Sequence, residues 1–325
     1  MDYLDRVTLR EEMNRNGLAR RPFLWGITYG QERGFLVTDA LSQEEILWCV
    51  GAYGNSPDCG ATAVPALRIK ETMTETEYDE KFSVIARGLK RGDSFLANLT
   101  GATEVECTGS FRDVFIHSLA PFRLMLGDEF VCFSPEPFVR IEGRRISTYP
   151  MKGTADATEP DAEERLMADY KETCEHYTIV DLMRNDLNSV ATDVCVDRFR
   201  YVEEITTSNG RILQTSSEIS GLLPEEKALR FGDVILPLLP AGSITGAPKQ
   251  ATVALIEEAE QEGRGWYTGV FGYFDGVVMQ TAVMIRCLQR HADGRVYFHS
   301  GGGITVNSDS HEEYKEFLAK VYLSK

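Results

Sequence analysis

The sequence predicts an α+β fold of antiparallel sheets with helices on their outer faces. Three observations carry this. Strand-like runs come in adjacent pairs, single long helical patterns separate those pairs, and no βαβ alternation of the dinucleotide-binding kind links them. The 325 residues suffice for one large domain or two ordinary ones. No low-complexity linker, short repeat or composition shift marks a boundary, so one domain over 1–325 is expected.

Residues 20–70 alternate short apolar runs with Gly, Asp and Asn, the pattern of strands and loops. In 74–93, Tyr78, Phe82, Ile85 and Leu89 fall on one helical face, and the run closes on a Gly-Asp turn. "SFLANLT" follows as a strand and "GSFRDVFIHSL" as a short helix. Between 120 and 150, "FRLMLGDEFVCFS", "PFVRIEG" and "RRISTYPMKG" are strand pieces divided by turn residues, with Gly153 read as a turn. One long helix is expected over 159–186, with Pro160 in its first turn. Strands resume at 193–202 and 211–221. "EKALRFGDVILPLLP" and "APKQATVALIEEAEQEG" are helical. The last third gives strands in "WYTGVFGYFDG", "VVMQTAVMIRCLQR" and "RVYFHSGGGITV", then a closing helix, "DSHEEYKEFLAKVYLS".

Composition excludes several classes. A formal net charge of −16 argues against nucleic-acid and anionic-membrane partners, both of which demand a basic surface. An anionic substrate would need a local island of positive charge. The seven cysteines are scattered with no Cys-x-x-Cys pair, which predicts reduced thiols in a cytoplasmic protein rather than a zinc ribbon. No apolar run reaches membrane-spanning length, and the charged N-terminus lacks a signal-peptide core.

Four local patterns could carry chemistry. Glu172 and Glu175 share one helix face, and Glu313 and Glu316 repeat that spacing on the closing helix. Converging, they would offer a hard-cation site suited to Mg²⁺; apart, they are two solvated faces. The run Gly301, Gly302, Gly303 either turns the chain or lets backbone N–H groups approach an anion. "LPAGSITGAPKQAT" opens a helix without phosphate-loop spacing, so it either faces an anion or only connects elements. Arg286 interrupts an apolar strand, as a carboxylate anchor or half of a buried ion pair. His176 reads as a packed residue.

Taken together in order, "YPMKGT", "EHYTIVDLMRNDL", "AGSITGAPK", "YTGVFGYF", "VMIRC" and "SGGGITVNSDSHEEYKE" resemble the chorismate-utilising enzymes. That family includes anthranilate, aminodeoxychorismate, isochorismate and salicylate synthases, and the resemblance covers roughly residues 75–325. It implies a four-layer α/β/β/α core and a shortened N-terminal section of about residues 1–74. The family's anthranilate members are similar to Pro-Ile-Ala-Gly-Thr where this chain has Pro150-Met151-Lys152-Gly153-Thr154. Its aminodeoxychorismate members carry lysine there.

By that resemblance Lys152 is a nucleophile and the reaction is chorismate amination to 4-amino-4-deoxychorismate, toward p-aminobenzoate and folate. Glu136, in Ser134-Pro135-Glu136, is implied as the general acid, flanked by Phe133 and Phe138. Glu175 and Glu316 are implied as Mg²⁺ ligands with Glu172 and Glu313 behind them. Arg286, Tyr267, Gly301, Gly302, Gly303, Thr245 and Gly246 are implied around the substrate. Attack requires a neutral lysine, so its pKa is expected to fall through desolvation and the nearby metal. Gln214 stands where many relatives have a histidine. Ammonia is expected from solution or from a separate glutaminase subunit.

The nearest alternatives are anthranilate and isochorismate or salicylate synthesis, against which Lys152 counts. Two of other classes are a Schiff-base lyase and a non-catalytic chorismate-binding subunit. Borohydride trapping with a carbonyl substrate would mark the first; the retained acid, lysine and glutamates count against the second.

Overall fold

The computed structural model describes residues 2–57, 63–207 and 210–323, so Cys59 lies outside the described residues. Two sheets, each of nine strands among those residues, pack face to face with helices on both outer sides. Every strand pairing is antiparallel. The other six cysteines are free thiols.

Alternation explains the layering. In the strand Phe23–Ile27 of the first sheet, Phe23, Trp25 and Ile27 face a helical layer, while Leu24 enters the layer between the sheets. In Phe130–Ser134 of the second sheet, Phe130 and Cys132 face inward, and Val131 and Phe133 face the short helix Phe111–His117. Both strands are buried on both faces, so their sequences read as unbroken apolar runs rather than an alternating pattern. The inter-sheet layer is aromatic, with Trp48, Trp266, Phe35 and Phe271 among its members.

The residues before 75 do not form a unit of their own. Phe23–Ile27 and Gly34–Val37 complete the first sheet, and Ile46–Val50 extends the second. The predicted helix over 74–93 is Glu75–Arg91, closed at its start by a Thr74/Glu77 capping box and at its end by Gly92 in the left-handed conformation. Its Tyr78, Phe82, Ile85 and Leu89 pack with Leu255 and Ile256 of the helix Lys249–Glu260 over the outer face of the second sheet.

The long helix expected over 159–186 is two helices, Ala162–Ala168 and Tyr170–Asn188. Asp169 divides them. Its extended backbone ends the first, and its carboxylate accepts the Glu172 amide at 2.9 Å to cap the second. That break places Glu172 in a fresh first turn, where the helix dipole favours a carboxylate.

Two crossovers position the site. The chain passes from the second sheet to the first between Phe130–Ser134 and Pro137–Glu142, and back between Val278–Val283 and Cys287–Arg290. The crossovers lie side by side. Val283 N donates to Glu136 O at 3.2 Å, and Phe133 N donates to Arg286 O at 2.9 Å. Glu136 and Arg286 therefore sit where one sheet hands the chain to the other. Arg286 is not inside a strand, as its apolar neighbours suggested; it is the joint between two, at φ +53.

Candidate active site

A cavity of about 220 Å³ opens beside these crossovers. Lys152, Glu136, Arg286, Tyr267, Gly301, Gly302, Gly303 and Glu316 line it. A larger concavity of about 730 Å³ lies over the strand Leu96–Cys107 and contains none of the motif residues except through His299, which borders both. Size alone would favour the larger one; the chemistry collects in the smaller.

Lys152 is not a turn residue. It belongs to the strand Met151–Asp156, opposite Thr215, and Gly153 is a β-bulge at φ +80 in that strand. Thr215 Oγ1 donates to the Lys152 carbonyl. The bulge needs glycine twice over, because a Cβ there would also lie 3.0 Å from Glu172 Oε2. Lys152 Nζ meets Glu175 Oε2 at 2.6 Å. Burial pushes the lysine pKa down, but Glu175, then Glu172 and Glu316, outweigh it and hold it above its ordinary value. The expected depressed lysine is therefore not what this arrangement gives, because three carboxylates face it.

The glycine run is neither a bulge nor a turn. It continues the strand Val296–Ile304, paired on one side with Asn98–Thr100. Its other neighbour, Cys287–Arg290, stops at the Cys287–His299 pair, so among the described residues no strand pairs with the second edge of Gly301–Gly303. Glycine also admits the closing helix Ser310–Ala319. A Cβ on Gly302 would lie 3.3 Å from Glu313 Oε2 and 3.9 Å from Glu316 Oε1. Lys320, one turn after Glu316, bonds Glu316 Oε1 and the Gly301 carbonyl, both at 2.7 Å.

Of the four glutamates, carried by two helices on opposite sides of the sandwich, Glu316 lines the cavity, Glu175 and Glu172 face its Lys152, and Glu313 lies beside Gly302. Among the described residues, no three carboxylate, histidine or cysteine side chains gather tightly enough to hold a metal as they stand. An ammonium group is seated on each pair instead, Lys152 on Glu175 and Lys320 on Glu316.

Glu136 donates nothing from its side chain in this arrangement; it accepts the Ser243 hydroxyl at 2.5 Å. Phe133 and Phe138 beside it are fully buried. Burial raises its carboxyl pKa, partly offset by the Ser243 bond and by Lys152. Arg286 Nη1 donates to the Lys320 carbonyl at 3.1 Å, and its guanidinium lies 4.8 Å from the Tyr322 ring centre. Among the described residues no carboxylate is salt-bridged to Arg286, so the buried-ion-pair reading is not what the structure shows.

Thr245 and Gly246 are not brought to the cavity. Thr245 is fully buried and gives its hydroxyl to Ala241 O at 2.8 Å. Gly246 pairs with Ala97 at the edge of the second sheet, where a Cβ would collide with Leu96 O. Their motif anchors a loop whose Ser243 and Ile244 line the cavity. Sequence reasoning missed Ser243, Lys320 and His299. Each lay inside or one turn beyond a quoted motif, and i,i+4 spacing from Glu316 was the available signal for Lys320. Gln214 lies opposite Thr154, off the cavity wall. His176 is fully buried and bonded to Ser217 Oγ at 2.7 Å, a packed residue.

His299 stacks on Tyr267 with ring centres 5.2 Å apart. Burial, with His291 and Arg264, depresses its pKa to about 3. The unfolded chain binds a proton at this position below about 6.5, while the folded one refuses it until about 3. The associated stability is complete above about pH 6.5 and declines as pH falls. Urea titrations should show about 2 kcal/mol lost from pH 7 to pH 5 through this residue, absent in His299→Gln.

The match to known proteins agrees with this geometry. Residues 34–324 match the family of chorismate binding enzymes, and the chain belongs to it. An uncharacterized PabA-like protein of Haemophilus influenzae is 45% identical over 313 residues, 96% of this chain and 95% of that protein. Aminodeoxychorismate synthase component 1 of Salmonella typhimurium is 33% identical over 78% of this chain, which spans 57% of that protein. An anthranilate synthase component 1 of Haloarcula marismortui is 34% identical over 76% of this chain, which spans 52% of that protein. The matched segment thus spans little more than half the length of these synthases. Among solved structures, the menaquinone-specific isochorismate synthase MenF of Escherichia coli superposes with a TM-score of 0.76 at 16% identity, covering 98% of this chain and 82% of that one, a likeness of fold. The protein is a chorismate-utilising enzyme of the anthranilate, aminodeoxychorismate and isochorismate synthase family.

Proposed function

We propose that this enzyme aminates chorismate at C4, giving 4-amino-4-deoxychorismate by way of a covalent Lys152 adduct. Identity does not choose between the branches, since the amination and anthranilate relatives match equally well. The observation that carries the reading is Lys152 itself, an amine on the wall of the cavity that also holds Glu136.

In the first step the Lys152 amine attacks C2 of the ring. Both ring double bonds shift by one position, the C4–O bond breaks, and Glu136 gives the departing hydroxyl its proton, so water leaves. Ammonia then adds at C4, both double bonds return, the C2–N bond to Lys152 breaks, and the new C4 ammonium gives a proton back to Glu136. A raised Glu136 pKa suits a carboxyl that must be protonated before it can donate. Arg286 and the open edge of Gly301–Gly303 supply positive charge and N–H donors for a substrate carboxylate.

The donor set at the glutamate end, all hard oxygens, fits Mg²⁺ in chemistry, with Glu175 and Glu316 as ligands and Glu172 and Glu313 behind them. Bound there, the ion would polarise the ring carboxylate and occupy the charge that now holds Lys152 as an ammonium. Ammonia would come from solution or from a separate glutaminase subunit, and folate synthesis in the cytoplasm is the setting proposed.

The deciding experiment incubates the protein with chorismate, Mg²⁺ and ammonium and reads products by mass. Aminodeoxychorismate supports the reading; anthranilate with pyruvate, isochorismate, or no turnover overturns it. Arg286→Ala should raise the KM for chorismate about 10- to 100-fold, the loss of one charge-assisted contact. An unchanged KM would return Arg286 to a structural role at the crossover.

A further inference from the structure

We propose that Ser243 is a positioning residue that fixes which oxygen of Glu136 delivers the proton. The inference rests on the reading of Glu136 as the general acid. A carboxylic acid has two oxygens, and only the one that carries hydrogen can donate. Ser243 Oγ donates to Oε1 at 2.5 Å, the one hydrogen bond that the carboxyl makes among the described residues. With Oε1 engaged as an acceptor, the acidic proton resides on Oε2.

Both partners are held by their main chains. Glu136 N donates to Ser134 Oγ at 3.1 Å, and its carbonyl accepts Val283 N. Ser243 sits on the single turn Gly242–Ile244, which three elements clamp. Asn98 N of the second sheet reaches Thr245 O at 2.9 Å. Arg264 Nη1 donates to Ile244 O at 3.0 Å. On the third side, Leu182 and Asp186 of the helix Tyr170–Asn188 pack so close to Gly242 that a Cβ would fall 2.7 Å from Asp186 Oδ2. Asp186 also pairs with Lys249 at 2.9 Å, and Lys249 caps Leu238 O. The hydroxyl is therefore presented from a turn with little freedom to follow the carboxyl. That rigidity separates a positioning contact from an adaptable surface one. The charged and titratable groups facing Glu136 across the cavity are Lys152, Arg286, Lys320, Glu316, Tyr267 and His299.

Ser243→Ala frees the carboxyl to rotate and removes a donor that favours its ionised form. The expected result is a kcat lower by about 10- to 100-fold, with the chorismate KM within about threefold. The high-pH limb of kcat, where Glu136 loses its proton, should move upward. Ser243→Thr, which keeps the hydroxyl, should restore both. In a Glu136→Gln background, Ser243→Ala should cost nothing further. A Ser243→Ala enzyme with normal kcat and an unmoved limb overturns the proposal while leaving Glu136 as the acid, and so does a folded Ser243→Thr enzyme as slow as Ser243→Ala. If Glu136→Gln itself keeps full kcat, the reading of Glu136 falls, and this inference with it.

Discussion

Replacing Lys152 by alanine should abolish amination, with kcat lower by on the order of 10³-fold or more, while the fold persists. The side chain is one-third exposed and its partner Glu175 is partly solvated, so the pair contributes little to stability. Thermal melting should change only slightly. The decisive measurement is intact mass after chorismate and Mg²⁺ without ammonia. The wild-type chain should gain the mass of chorismate less water, on the peptide containing Lys152. The variant should gain nothing. A variant that aminates at the normal rate, or a wild-type chain with no trapped adduct, would leave Lys152 as a partner of Glu175 and nothing more.

Most of the layered fold was legible because it depends on periodicity. The face of Tyr78, Phe82, Ile85 and Leu89 and the pairs of strand-like runs are local patterns, and the structure uses them as read. What escaped was decided by single residues or by distant partners. Asp169 breaks a helix whose flanks both favour helix, because its carboxylate caps the next one better than it continues the last. Gly153 looks like a turn, but the long strand Gly210–Leu222 lies beside it and makes it a bulge. Arg286 looks like part of a strand because the apolar residues on its two sides belong to different sheets. At the site, the motifs located Lys152, Glu136, Tyr267 and the glycines on the cavity wall. They could not tell Ser243 from Thr245, two residues apart on one loop. Which of them faces the cavity depends on how that loop anchors to Ala97 and Asn98. Nor could they show that Lys152 would face three carboxylates, which reverses its expected pKa direction.

Glu175→Ala and Glu316→Ala should each bring turnover close to background, on the order of 10³-fold down. Two explanations compete, since each glutamate also holds a lysine: Glu175 holds Lys152 and Glu316 holds Lys320. They separate on added metal. If the glutamates bind Mg²⁺, calorimetric titration should show weaker binding in both variants, and high Mg²⁺ should recover part of the rate. If they act only by pairing with lysine, Mg²⁺ binding should be unchanged and no concentration should help. Glu172→Ala and Glu313→Ala, one turn earlier on the same helices, should cost about 10- to 100-fold, the range for groups that support ligands. The same titration has a structural corollary. Lys152 and Glu175 are 2.6 Å apart, so a cation on Glu175 must compete with the ammonium. Lys152→Met should therefore bind Mg²⁺ more tightly than the wild-type chain, although it cannot turn over. Undiminished wild-type activity in excess EDTA would remove the metal from the reaction and leave these glutamates as counter-charges for two lysines.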